Sequence, residues 1–342
     1  MSKELLVVGS NSIHVYNFIA LVKDNFDKVL LVTNEINTEQ DVTSIAINFS
    51  LGVQSLKTIS KIRNIADKFK PSVVHIQQAN TYAFLTTLAL KNRNITLVLT
   101  AWGSDVLVNP NKSFLLKKML QYVLINVEVI TADSDHVLNS AQKLVSKKLS
   151  LYNINFGIKI DDCPKQNKEN IIYSNRLHSD LYNIEKVILS FSKFVKYNKE
   201  WKLIIAGIGE NTESLKALVK TLYLEKDIKF VGFLNQKDNY KYYCKSRIYI
   251  SIPRSDSVSI SLVEAIICGC VPFVSNLEAN LELIINEKNG FIEHDLEAIN
   301  FNKFKDINYI DFEDTRKKLK VLFSKTYNKN KYIEIYKKLN VL

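Results

Sequence analysis

Residues Ile248 to Ile285 read IYISIPRSDSVSISLVEAIICGCVPFVSNLEANLELII. A short apolar run leads into a polar loop of Pro253, Arg254, Ser255, Asp256, Ser257 and Ser259, and an apolar stretch carrying Glu264 follows. The order is strand, loop, helix start. The unpaired backbone N–H groups of a first helical turn, together with the positive end of the helix dipole, suit an anionic group such as a diphosphate. Asp256 and Glu264 stand eight residues apart, so two carboxylates flank the helix start. Gly269 is expected to end the helix, and Val271 to Val274 to form the next buried strand. An acid near the start of a buried helix also occurs without any ligand. The rest of the chain has to decide.

The same alternation fills the chain ahead of this stretch. Ile171-Ile172-Tyr173, Lys202 to Ala206 and Ile228 to Val231 read as short apolar strands, separated by helical spacing at Ile184 to Tyr197, Thr212 to Leu222 and Lys237 to Cys244. In the N-terminal half, Leu5 to Val8 closes at Gly9 and a Ser10-Asn11-Ser12 loop before an amphipathic Ile13 to Val22. Strands at Val29 to Thr33, Val73 to Ile76, Thr96 to Thr100 and Val129 to Ala132 alternate with helices at Ser55 to Phe69, Thr81 to Lys91 and Lys112 to Val127. Strands that are apolar on both faces and alternate with helices belong to parallel sheets covered on both sides. Leu151 to Asn170 has no sustained period and reads as a linker, whereas the lysine-rich tail from Asp311 to Leu342 has helical spacing.

At 342 residues, with 46% hydrophobic and 24% charged residues, the chain has room for two domains with their own cores. No run reaches the roughly eighteen apolar residues of a membrane span. The start, MSKELLVVGSNS, reads as a first strand rather than a signal peptide, so the expected location is the cytoplasm. The formal net charge of +11 is shared by both halves, which suits contact with an anionic membrane or a phosphate-bearing substrate. No nucleic-acid module is recognisable, and nucleic acid is not an expected partner. Cys163, Cys244, Cys268 and Cys270 are irregularly spaced, so reduced thiols are expected rather than a disulfide framework or a zinc site. The five histidines show no ligand spacing, and no metal is expected.

The stretch around Asp256 and Glu264 resembles the nucleotide-sugar end of the retaining GT-B glycosyltransferases of family four, the group 1 glycosyl transferases with a Glu-x7-Glu signature. Asp256 stands at the first acid, one methylene short, and Glu264 at the second. Leu262-Val263-Glu264-Ala265-Ile266-Ile267-Cys268-Gly269 follows the family's helix. Ser174-Asn175-Arg176-Leu177 is similar to the family's glycine-arginine-leucine corner, which implies Arg176 as a ligand of the donor diphosphate. A guanidinium is always charged and meets phosphate oxygens with two donors at once. Tyr182 stands where the family has a lysine, and Lys186, one helical turn away, is the candidate second cation. The resemblance further implies a tight turn beside the nucleotide at Gly207 and Gly209, an apolar contact to the base from Phe233 or Leu234, and backbone donors around Ser257, Ser259, Ile260 and Ser261. Glu264 would accept the ribose hydroxyls and Asp256 would address the transferred sugar. On the acceptor side the implied residues are Ser12, His14, Trp102 and Asp105, with Trp102 in place of the family's histidine.

The resemblance implies an α/β protein of the GT-B fold, with two Rossmann-like doubly wound domains facing a cleft. Its expected parts are an acceptor-binding domain at 1–155, a linker at 156–170, a nucleotide-sugar-binding domain at 171–325, and a helix at 326–342 that crosses back to the first domain. The implied activity is retaining, metal-independent and cofactor-free transfer of a hexose or N-acetylhexosamine. The donor would be a nucleotide-diphosphate sugar, UDP-sugar first, and the acceptor a hydroxyl of a saccharide or lipid-linked oligosaccharide in surface polysaccharide synthesis. The helix around Phe114 to Leu120 mixes lysines with bulky apolar residues and suits peripheral contact with the inner face of the cell membrane. Two alternatives stay open. A nucleotide-sugar epimerase needs acid/base groups that cannot be placed, and a catalytically silent GT-B partner protein is kept open by Tyr182 and Asp256.

Overall fold

In the computed structural model, which describes residues 2–159, 163, 167–297, 299–303 and 313–342, each apolar run becomes a strand. The first half forms β1 (Glu4–Val8), β2 (Lys28–Thr33), β3 (Ser44–Ala46), β4 (Val73–Gln77), β5 (Thr96–Thr100), β6 (Val129–Ala132) and β7 (Leu151–Asn153). They pair in parallel in the order β3-β2-β1-β4-β5-β6-β7. The second half forms β8 (Glu169–Ser174), β9 (Lys202–Ala206), β10 (Ile228–Gly232), β11 (Ser246–Ser251), β12 (Val271–Ser275) and β13 (Phe291–Glu293), again all parallel, in the order β10-β9-β8-β11-β12-β13. In both sheets the order runs away from the first strand and then reverses, the doubly wound arrangement.

Burial explains why the strands are apolar throughout. Along β1, Leu6 and Val8 enter a core with Ile62, Ala66 and Leu85, while Leu5 and Val7 enter a second core with Phe18, Ile19 and Tyr336. A side chain on either face of such a strand leaves water, so no polar alternation survives. In the second sheet Ile172, Leu203 and Ile250 pack under the helix Ile184–Phe194, with Phe191 fully buried.

The chain divides into two compact units, Met1–Gly157 with Phe323–Leu342, and Ile158–Leu322. The helical spacing of the tail is carried by two helices, Glu313–Leu322 and Lys325–Lys338, separated where Ser324 caps the second by accepting from the Tyr327 N–H at 3.2 Å. Tyr336 of the last helix lies on the underside of the first sheet, its hydroxyl 2.7 Å from Nδ1 of His75 in β4. The aperiodic stretch from Leu151 does not begin as a linker, because Leu151–Asn153 pairs with β6 as the seventh strand of the first sheet. A three-residue edge strand is too short to show a period in sequence. Of the rest of that stretch, 160–162 and 164–166 lie outside the described residues, as do 304–312 ahead of the tail.

The cysteines correct the sequence reading. Cys163 and Cys244 form a disulfide, and Cys268 and Cys270 are buried free thiols. Their separation of 81 residues hid the pairing, which arises because the chain entering β8 passes the C-terminal end of the helix Gln236–Lys245.

Candidate active site

In doubly wound sheets ligands bind beyond the carboxyl ends of the strands where the order reverses. In the second unit that place lies between β8 and β11. The corner after β8 supplies Asn175 and Arg176, and the loop after β11 supplies Asp256, Ser257 and Ser259 before the helix Ile260–Ile267.

Arg176 is the centre of the arrangement. Its Nη2 donates to Asp256 Oδ2 at 2.6 Å, its Nη1 donates to Ser259 Oγ at 2.5 Å, and its guanidinium lies 4.4 Å from the ring centroid of Tyr182. Ser259 is also the N-cap of the helix Ile260–Ile267, with Oγ accepting from the Leu262 N–H. A fixed cation thus stands over a helix N-terminus, two features that each attract an anion. Asp256 Oδ1 accepts the N–H of Ser257 at 3.0 Å, so both carboxylate oxygens are engaged. Desolvation pushes the Asp256 carboxyl above its ordinary pKa, against the opposing pull of Arg176.

Glu264 lies deeper, on the second turn of the same helix. Its carboxylate accepts from Gln236 Nε2 at 2.9 Å and from the Tyr243 hydroxyl at 3.3 Å, and burial raises its pKa. Tyr243 in turn accepts from Asn175 Nδ2 at 2.8 Å, and Asn175 Oδ1 accepts from the Tyr249 hydroxyl at 2.8 Å. A continuous set of hydrogen bonds therefore joins the residue beside Arg176 to Glu264. Buried polar groups linked in this way hold one geometry.

Several expected donor residues are placed differently from one another. Ser257 and Ser259 are buried beside Asp256, while Ile260 and Ser261 open the helix half-exposed, Ser261 Oγ lying 3.4 Å from Asn175 Nδ2. Phe233 is 75% exposed, which rules out a packing role in the core and leaves it open to a ligand. Leu234 is half-buried, and its carbonyl accepts from Asn239. Gly207 and Gly209 do permit a close backbone approach, but to the Arg176 corner. A Cβ on Gly207, whose φ is +107°, would lie 2.5 Å from the Arg176 carbonyl oxygen, and one on Gly209 would lie 2.4 Å from that of His178. Lys186 is bonded to the Glu297 carboxylate and lines a cavity of about 330 Å3 with Asp180, Asn211 and Arg254. The charge facing Asp256 therefore comes from Arg176, with Tyr182 beneath it.

Asn183 follows Tyr182 and fixes the same corner. Its backbone is left-handed, at φ 53°, a conformation that asparagine tolerates, and its Nδ2 donates to the Ile252 carbonyl at 2.8 Å. This clamps the β8 corner to the end of β11. Asn175, Asn183, Gln236 and Tyr243 were not singled out from sequence. The one signal was that Asn175 and the Tyr182-Asn183 pair flank the Arg176 corner.

On the first unit, His14 and Trp102 meet edge-on with ring centroids 5.2 Å apart, and the Trp102 indole N–H donates to Gln77 Oε1 at 3.2 Å. Ser12 caps the helix Ile13–Val22 without a side-chain cap bond, and its Oγ has no partner among the described residues. Asp105 is only 1% exposed and is occupied by backbone, accepting the N–H of Ala79 at 2.6 Å and that of Trp102 at 3.0 Å. It ties the ends of β4 and β5 together rather than facing outward. Burial nevertheless raises its pKa.

Two parallel α/β units, the second with an arginine held over a helix start at the strand-order reversal, define the GT-B class. Comparison with known proteins agrees. The family described as Glycosyl transferases group 1 matches residues 159–303, and the one described as Glycosyl transferase 4-like matches residues 3–134, so that between them they span most of the chain. The protein belongs to the group 1 glycosyltransferases. It is 24% identical over 253 residues to an N-acetyl-alpha-D-glucosaminyl L-malate synthase of Bacillus anthracis, a match that takes in 69% of this chain and 65% of that enzyme, just under two thirds of its length. It is 23% identical over 296 residues to an uncharacterized glycosyltransferase of Haemophilus influenzae, over 82% of this chain and 80% of that one. Its fold superposes on HepE of Anabaena in complex with UDP with a TM-score of 0.82, at 12% identity over 98% of this chain and 100% of that one.

Proposed function

We propose that this chain is a retaining, metal-independent hexosyltransferase. It would move a hexose or N-acetylhexosamine from a UDP-sugar to a hydroxyl of a saccharide or lipid-linked acceptor in surface polysaccharide synthesis. The observation that carries the reading is the Arg176 guanidinium held by Asp256, Ser259 and Tyr182 above the N-terminus of the helix Ile260–Ile267. A diphosphate seated there meets one full positive charge and the open N–H groups of a first turn, which supply the neutralisation that a divalent cation provides elsewhere. HepE of Anabaena has been solved with UDP and with UDP-glucose, which supports the choice of nucleotide.

The chemistry then needs positioning and charge stabilisation more than covalent help. As the bond from the sugar to the diphosphate oxygen lengthens, Arg176 and the helix start take up the negative charge that develops on the leaving group. The acceptor hydroxyl attacks from the same face, and its proton passes to the departing diphosphate oxygen. The new glycosidic bond keeps the configuration of the donor. Glu264, with lone pairs beyond those used by Gln236 and Tyr243, accepts the ribose hydroxyls. Asp256 orients Arg176 in the free protein and turns to the sugar once the diphosphate has taken the guanidinium.

Membrane contact has its own support. The helix Phe114–Asn126 buries Met119, Leu120, Val123 and Leu124, yet it leaves Phe114 75% and Leu115 62% exposed beside exposed Lys117 and Lys118. An apolar pair ringed by lysines suits an anionic bilayer surface. Among the described residues no helix is long and apolar enough to cross a membrane.

The test is incubation with uridine, guanosine and adenosine diphosphate sugars in a chelator, following binding and slow hydrolysis. Binding and turnover of a UDP-sugar is the expected result. Failure to bind any donor would sink the enzyme reading, and binding without hydrolysis or transfer to any saccharide would favour a silent partner protein.

A further inference from the structure

The chain has four cysteines, and the fold collects all of them at one corner of the second unit, on three separate segments. Cys163 precedes β8, Cys244 ends the helix Gln236–Lys245, and Cys268 caps the helix Ile260–Ile267. The Sγ atoms of these three lie within 4.8 Å of one another, and among the described residues no carboxylate or imidazole joins the group. Cys270 is satisfied separately, its Sγ donating to the carbonyls of Tyr243 at 3.1 Å and Ser246 at 3.3 Å. Beside them the half-buried Lys168 ammonium donates to the carbonyls of Tyr243 and Cys268, both at 2.7 Å, and lies 3.9 Å from Cys270 Sγ. None of these partners carries a formal negative charge.

We propose that the reduced chain holds a zinc-class divalent cation on the thiolates of Cys163, Cys244 and Cys268, and that the Cys163–Cys244 disulfide is the form the same site takes when oxidised without metal. A tetrahedral zinc at ~2.3 Å from each sulfur places the sulfurs about 3.8 Å apart, which side-chain rotation reaches from the observed cluster once the disulfide is open. An all-sulfur donor set selects a soft cation over magnesium or calcium. Three thiolates and a dication sum to one negative charge, and Lys168 supplies the positive charge that neutralises it in a site largely out of water.

The chemistry balances. A dithiol reductant gives two electrons and two protons to the disulfide, yielding the Cys163 and Cys244 thiols and becoming a disulfide itself. Cation binding then releases three thiol protons to water, which takes the fourth position. The site would fasten the chain entering β8 to the helix whose Gln236 and Tyr243 hold Glu264.

The test uses the full chain reduced with a non-chelating phosphine under argon, dialysed against zinc, and then exchanged with cobalt. One zinc per chain and a thiolate-to-cobalt charge-transfer band are expected. Cys163→Ser, at a half-buried position, should lose roughly tenfold or more in zinc affinity, whereas Cys270→Ser should keep it. A reduced wild-type chain that takes up no zinc, or whose cobalt form lacks the thiolate band, overturns the proposal and leaves a plain disulfide. Undiminished zinc binding by Cys163→Ser overturns it equally. The cobalt band is read on the wild type, so that measurement does not depend on how any variant folds.

Discussion

Arg176 Nη2 and Asp256 Oδ2 lie 2.6 Å apart and join the ends of β8 and β11, the two strands between which the sheet order reverses. Both side chains are largely shielded, so each charge depends on the other while no anion is bound. An incoming diphosphate competes with Asp256 for the guanidinium. Asp256→Asn should therefore tighten UDP binding by about 1 kcal/mol, roughly fivefold, while lowering the rate of sugar transfer. Calorimetry against UDP, paired with a transfer assay, reads both signs.

Tyr182 should act through its ring. A guanidinium over an aromatic face contributes about 1 kcal/mol at a partly shielded site, and phenylalanine keeps that face where leucine does not. Tyr182→Phe is expected to bind UDP like the wild type, and Tyr182→Leu to bind it roughly fivefold more weakly. The hydroxyl rather than the ring is at work if the two variants weaken binding equally.

Glu264 carries a pH signature. Burial raises its carboxyl above the ordinary value of 4.5, so in the free protein ionising it costs stability as pH rises through the shifted pKa. Donor binding runs the other way, because the ribose hydroxyls need the carboxylate. UDP affinity should fall as the solution is acidified through a pKa higher than 4.5, and Glu264→Gln should bind weakly with that step removed. Titrations of both proteins over a pH series check this.

His75 makes the first unit sensitive to acid. It is fully buried between the Tyr336 hydroxyl and Thr100 Oγ1, each 2.7 Å from a ring nitrogen, and its pKa is pushed down to about 3 by desolvation. An unfolded chain binds the proton near 6.5 and the folded one does not, so this residue's contribution is complete above 6.5 and is lost as pH falls toward 3. The expected slope is about 1.4 kcal/mol per pH unit over that window. His75→Gln should be less stable at neutral pH by roughly 1–3 kcal/mol and should show a shallower acid dependence, as measured by urea unfolding.

Most of the fold was legible because each strand is buried on both faces and so appears in the sequence as an unbroken apolar run. β3, β7 and β13 were missed because three residues carry no period. Asp256 and Glu264 could be picked out as carboxylates in a strand-loop-helix context, whereas Arg176 was picked out only through the family resemblance of its corner. What held them was not legible. Asn175, Tyr243 and Gln236 reach Glu264 or the Arg176 corner across β8, β11 and the helix Gln236–Lys245, and a contact between segments so far apart leaves no local pattern. The burial of Asp105 was hidden for the same reason, its carboxylate accepting the N–H groups of Ala79 and Trp102. The disulfide and the thiol cluster were hidden by the same long separations.

A UDP-sugar diphosphate is expected to bind at Arg176, and a titration of UDP in a chelator into the wild-type chain and Arg176→Ala shows whether it does. Losing a charge-assisted, bidentate phosphate contact costs about 1.5–3 kcal/mol. We expect saturable binding by the wild type and at least a roughly tenfold weaker Kd for the variant. Equal affinity in the two proteins, or no binding by the wild type, would contradict the account.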